Sequence, residues 1–306
     1  MAEVEREITG GKSAGRYFDL IAGTSTGGII ALGLSIGLTA EEISSFYIEE
    51  GQAIFPRYYP KNRRLRDVVG KVRLLRDLKR YRYERDVLES ALNERFGNRL
   101  FGHAERRLVI PSFDSNNEVF LLKTPHHPDF KQDWKRPMTE VALATAAAPT
   151  YFRAFDDGER RFVDGGVWAN NPIMCAVVEA MASYDLDRHR IEVLSLGCGE
   201  NGYVIDRKKF GGGLWHWRDI LSAASQLGSQ NALGQAGLLL GADRILRLDR
   251  RRLEPLEMDD FVRAADELPG MAKALFDENR AALERFFAEE RPRYDAVYGP
   301  RAKDAS

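Results

Sequence analysis

The sequence predicts an α/β fold, a three-layer α/β/α arrangement around a mostly parallel central sheet. Three observations carry that expectation. Short apolar runs of strand length alternate with longer segments of helical character. Some of those runs stop at glycine, as "YFDLIAG" (17–23) and "IEVLSLGCG" (191–199) do. The segment that follows the first, "TGGIIALGLSIG" (26–37), has the small-residue composition of a helix packed tightly beneath a sheet.

In chain order, residues 2–8 read as a short helix, 9–16 as a Gly-rich turn and 17–23 as a strand. After the small-residue helix, a second helix starts at Thr39, an N-cap with Glu42 three residues on. "VLESALNERFGN" (87–98) is helical, and "RRLVIPSFDSNNEVFLLKT" (106–124) reads as two paired strands turning at Ser115-Asn116-Asn117. "MTEVALATAAAPTYF" (138–152) is a helix ended by Pro149, "RFVDGGVWANNP" (161–172) a strand and turn, and "IMCAVVEAMASY" (173–184) a helix. Residues 191–199 form a buried strand, 243–249 the last strand, and 259–290 a helical tail. With no repeat, low-complexity segment or linker, residues 1–306 count as one domain.

Composition narrows the function. A net charge of -1 argues against a nucleic-acid partner, which calls for a strong basic excess. The two cysteines, Cys175 and Cys198, make no disulfide framework and fit a reducing compartment. The five histidines (His103, His126, His127, His189, His216) lack metal-ligand spacing, so no metal site is expected, and the chemistry set out below implies no organic cofactor. The first residues lack the pattern of a signal peptide, and the longest apolar run, 29–38, is too short to span a bilayer. The cytoplasm is therefore the default location. One segment stands apart: residues 57–85 carry twelve Lys/Arg against three acids. With Tyr58, Tyr59, Tyr81 and Tyr83 it suits an anionic membrane surface, as a peripheral contact. It suits equally a solvated helix or a partner-protein patch. Oligomeric state is left unassigned.

The chemistry gathers at two places. Gly23-Thr24-Ser25-Thr26-Gly27 fits G-x-S-x-G between a strand and a helix, the context in which a serine hydroxyl is held out on a sharp turn. Side chains at Gly23 and Gly27 would collide in such a turn. The helix beyond Ser25 aims backbone N–H groups at the site, Thr26 N–H first, which favours a developing oxyanion. By itself the motif also reads as a Gly-rich loop that cradles phosphate or turns the chain. A Walker motif is excluded, because Arg6 stands where it needs glycine. A serine needs a base. His126 and His127 lie in a Pro-flanked loop and His216 between Trp215 and Trp217, which favours packing or, for the tryptophans, an acyl groove. Asp164 in "FVDGG" (162–166) ends an apolar strand, and Gly165 and Gly166 let backbones approach it. Alone, that segment is equally a plain Asp-Gly turn. Cys198 reads as a small buried residue.

Taken together, "FDLIAGTSTGG", "ATAAAPTYF" and "FVDGGVWANNP" resemble the patatin-like phospholipase family in order and detail, over roughly 17–200. The resemblance implies lipid acyl hydrolysis by a Ser-Asp dyad with no histidine. Ser25 matches the nucleophile, Asp164 the proton acceptor, Gly165 and Gly166 the rest of the second motif, and Asn170-Asn171-Pro172 a further match. Phospholipid or another acyl lipid is the implied substrate; an inactive lipid-binding scaffold and a soluble esterase or thioesterase are the alternatives. Family members carry a strand and a Gly-rich oxyanion loop some thirty residues ahead of the serine, but only 24 residues precede Ser25 here and Gly10-Gly11 is too close. The expectation is that Met1 is internal to a longer chain; the competing one is a protein that lacks the element and is inactive.

Overall fold

The computed structural model of the chain describes residues 1–56, 81–116, 118–199, 220–250, 256 and 259–302. It opens with α1 (Ala2–Glu7), β1 (Leu20–Ala22), α2 (Thr26–Ser35), α3 (Ala40–Ile54) and α4 (Arg85–Phe96). Then come β2 (Arg107–Asp114), β3 (Val119–Lys123), α5 (Met138–Thr145), β4 (Phe155–Asp156), β5 (Arg161–Asp164) and α6 (Gly166–Ala169). The chain ends with α7 (Ile173–Ser183), β6 (Val193–Leu196), α8 (Ile220–Leu240), β7 (Ile245–Leu248) and α9 (Phe261–Phe286).

The α/β class stands, with a mixed sheet where a mostly parallel one was expected. β1–β2 and β6–β7 are parallel, whereas β2–β3, β2–β5 and β4–β5 are antiparallel. β2–β3 and β4–β5 are each joined by a short turn, which can link only antiparallel neighbours; β5 reaches β2 after a longer excursion through β3, α5 and β4. β2 organises the larger sheet. Its apolar run is buried on both faces, as a central strand requires. β3 occupies one edge from Val109 to Phe113. The other edge is shared: β1 pairs with Arg107–Val109 and β5 with Ser112–Asp114. β1 runs with β2 and β5 runs against it, so the C-terminal ends of the two meet head to head beside Ile110 and Pro111. Among the described residues β6 pairs with β7 alone, and the two sheets share no ladder.

Helices cover both sides. α2, α3, α4 and α5 pack on Leu108, Ile110, Leu122 and Phe162 in the main core. α7 lies against β1 and β2 and joins α8, Val193 and Ile245 in a second core. α1 and α9 close a third over Leu246 and Leu248. Gly33 lets α2 approach α3, since a Cβ there would sit 3.0 Å from Ile43. The Thr39–Glu42 capping box forms as the sequence predicts. No helix among the described residues is long and apolar enough to cross a membrane.

Two expectations need correction, and one helix was not foreseen. The helix predicted to run to Pro149 stops at Thr145, because the backbone of Thr145 and Ala147 turns away to accept hydrogen bonds from Gly165 and Asp164. The strand expected to be buried near 191–199 is mostly half-exposed, with only Ser195 buried. α8 was assigned no structure from sequence.

α7 is tied to the hairpin by charge. Glu179, 3% exposed, accepts from Lys123 Nζ at 2.5 Å and from His126 Nε2 at 3.1 Å, and Ser183 also donates to it. Burial opposes ionisation of Glu179, but these donors hold it at about 2. Burial pushes His126 down from 6.5 against the pull of Glu179. Both folded values are depressed, so both groups add stability above their unfolded values and lose it as pH falls. The melting temperature should decline below pH 6.5 and more steeply below 4.5, and Glu179→Gln should flatten the lower limb in a thermal melt series.

Candidate active site

β1 delivers the chain to the rim of the sheet, and α2 carries it away. Between them Ser25 adopts φ 57 and ψ -127, a conformation rare for a residue with a side chain. Such strain costs about 1–3 kcal/mol and persists only where surrounding bonds impose it. Those bonds are present. Ser25 N–H donates to Thr145 Oγ1 at 3.0 Å, and Ser25 C=O accepts from Gly28 N–H at 2.9 Å. Thr24 Oγ1 donates to Ala169 C=O at 2.7 Å, fastening the turn to α6. Gly23 is obligatory, because a Cβ would lie 2.1 Å from Gly27 O. Gly27 itself faces open space, contrary to the collision expected from the motif. The tight second position is Gly28, where a Cβ would lie 2.7 Å from the Thr145 methyl.

Asp164 arrives from the opposite direction at the end of β5. Its backbone pairs with Ser112 and its N–H donates to Ala147 C=O. Gly165 lies so close to β2 that a Cβ would meet Pro111 O at 2.3 Å, which is the close approach predicted for this glycine. Asp164 is 4% exposed, and each carboxylate oxygen has a partner. Oδ1 accepts from Gly166 N–H at 2.6 Å; Oδ2 accepts from Ser25 Oγ at 2.6 Å. Burial raises the carboxyl above its ordinary value, and the bonds from Ser25 and Gly166 offset only part of that rise. The structure thus joins the two sequence motifs in one short hydrogen bond. Thr26, at the first turn of α2, is exposed, and its N–H makes no hydrogen bond among the described residues.

A family model for patatin-like phospholipases matches residues 2–177 of this chain. The chain belongs to the patatin-like phospholipase family. The match takes in both motifs and the strand ends that carry them. Within that family, a cGAMP-activated phospholipase of Pseudomonas aeruginosa is 30% identical over 93% of this chain and 83% of its own length. A cGAMP-activated phospholipase of Escherichia coli is 34% identical over 62% of this chain, which spans about half (53%) of that relative. Patatin-like protein 2 of Oryza sativa is 32% identical over 60% of the chain and 52% of its own length.

Other expected site residues fall elsewhere. The His126 ring is fully buried between Thr124 and Glu179, and His127 faces Asp129, accepting from its N–H at 3.3 Å. Neither is bonded to the Ser25–Asp164 pair. Residues 57–80, with Tyr58 and Tyr59, lie outside the described residues, as do Trp215, His216 and Trp217. Tyr83, which in sequence would suit an interface, is buried: its hydroxyl donates to Asp259 at 2.6 Å and its ring packs on Phe55 and Phe152. Cys198 is exposed, not buried, since it follows the half-open strand β6. Asn171 Oδ1 accepts from Ile173 N–H at 3.2 Å, in the turn that leads into α7. Thr24, Gly28 and Thr145 carry no sequence signal for the contacts they make. Gly23→Ala should abolish ordered folding, whereas Gly27→Ala should fold with a near-parental thermal melt; equal melts for both would contradict this geometry.

Proposed function

We propose that the chain is a lipid acyl hydrolase in which Ser25 is the nucleophile and Asp164 its base. The supporting observation is the 2.6 Å bond from Ser25 Oγ to Asp164 Oδ2, on a serine held in a strained turn. A hydroxyl becomes an effective nucleophile when an oriented base takes its proton. Ser25 Oγ attacks the ester carbonyl carbon while its proton passes to Asp164 Oδ2. The carbonyl oxygen becomes an oxyanion, stabilised by Thr26 N–H and the N-terminal end of α2. Collapse breaks the ester C–O bond, and Asp164 returns its proton to the departing alkoxide. A water, deprotonated by Asp164, then hydrolyses the acyl-enzyme and restores Ser25.

Burial suits Asp164 to this work, because a carboxylate with a raised pKa is a stronger base. A phospholipid is the proposed substrate, as the family implies. The P. aeruginosa relative, named as cGAMP-activated and alignable over 93% of this chain, supports a further element: turnover under control of a cyclic dinucleotide.

Ser25→Ala and Asp164→Asn should each abolish ester hydrolysis. The asparagine variant should melt no lower than the parent at pH 7, since it removes a buried charge. A fluorophosphonate should label the parent covalently at Ser25, and labelling that survives Ser25→Ala would exclude the assignment. The rate should fall as pH drops through the Asp164 pKa, with a midpoint above 3.8. Adding cGAMP should raise phospholipid hydrolysis, measured as free fatty acid released; an unchanged rate would remove the regulatory element alone. Turnover of monomeric esters with none of phospholipid vesicles would instead identify a soluble esterase.

A further inference from the structure

Thr145 touches both halves of the site and lies outside the two motifs that hold Ser25 and Asp164, in the "ATAAAPTYF" stretch (144–152) between them. It is fully buried at the C-terminal end of α5. Its hydroxyl accepts from Ser25 N–H at 3.0 Å and donates to Pro111 C=O at 2.6 Å. A threonine hydroxyl has one proton, so these two bonds fix its orientation: the proton points to Pro111 and a lone pair to Ser25. Its methyl sits against Gly28, which holds the rotamer. Meanwhile its backbone C=O accepts from Gly165 N–H at 3.3 Å, the residue after Asp164. One residue therefore bonds the serine turn, the aspartate turn and the strand between them.

We propose that Thr145 is a positioning residue that fixes the Ser25 backbone relative to Asp164. The inference rests on the dyad reading above for its catalytic half. Ser25 lies at φ 57, outside the conformations its chain would choose unaided. With its N–H tied to Thr145, the peptide cannot rotate back toward a relaxed turn. The hydroxyl is thereby kept within reach of Asp164, and the Ser25 N–H is committed to the scaffold. Oxyanion stabilisation then falls to amides beyond it, beginning with Thr26. A serine at 145 would retain both bonds; a valine, of nearly the same shape, would retain neither.

The test compares Thr145→Val and Thr145→Ser with the parent, using a p-nitrophenyl ester, fluorophosphonate labelling and amide hydrogen exchange. Thr145→Val should lower kcat by about 100-fold with KM little changed, the effect typical of a misplaced reacting group. Labelling of Ser25 should slow by a similar factor, and exchange at the Ser25 amide should speed up. Thr145→Ser should stay within a few-fold of the parent in all three. Measurements are made well below each variant's melting temperature, which separates misplacement from unfolding. Parental kcat in the valine variant, or equal impairment in the serine variant, would overturn the proposal. So would unchanged protection of the Ser25 amide in Thr145→Val. If Ser25→Ala retains full hydrolysis, the dyad itself fails and the catalytic half falls with it; amide exchange then decides the structural half alone.

Discussion

Two strands that end against the same edge of β2, coming from opposite directions, set the terms for everything else in this molecule. β1 stops at Ala22 beside Val109, and β5 stops at Asp164 beside Ser112. Residues 139 positions apart in sequence are thereby brought to hydrogen-bonding distance by a single rigid strand. Ser25 follows directly from one strand paired with β2 and Asp164 ends another, and a site built on such elements holds its geometry more closely than one built on loops. The glycines follow from it. Gly23, Gly28 and Gly165 stand where backbone or a neighbouring methyl approaches too closely for a Cβ. The helices follow as well: α2 leaves from the end of β1, and α5 lies where its last residue can bond both turns.

Much of this was legible because the chemistry constrains residue type. A serine on a strand-to-helix turn demands small neighbours, and an aspartate that must approach a strand demands glycine after it. The capping box at Thr39 and the hairpin at Ser115 were legible for the same reason, since each is a local interaction between residues close in sequence. What stayed hidden is tertiary. α5 ends four residues before Pro149 because Thr145 and Ala147 bond to a segment far along the chain. Tyr83 sits in a basic, polar stretch yet is drawn inside by Asp259 from near the start of α9. Gly27 satisfies a motif without satisfying the steric reason usually given for it, and Gly28 meets that reason without belonging to the motif.

Strain and burial are concentrated together. Ser25 holds an unfavourable backbone conformation, and Asp164 holds a carboxylate away from water. Each would relax if freed, and each is restrained by bonds whose other ends lie in β2, α5 or α6. Stability elsewhere offsets this, in the fully buried residues of the main core and in the ties from α7 to the hairpin. The division is the usual one between a site poised for chemistry and a scaffold that supports it.

Pro111 occupies the gap between the two strand ends, and a proline in a central strand is normally excluded because it has no N–H to give the ladder. Here its carbonyl faces the shared edge, where it accepts from Thr145. Its nitrogen faces that edge too, at a point reached by neither β1 nor β5. Any other residue would aim an N–H into a buried junction with no strand opposite to receive it. The ring also restricts the unfolded chain at the residue on which both motifs converge, so less conformational freedom is lost there on folding. A residue that would break most sheets thus leaves this one without an orphaned donor.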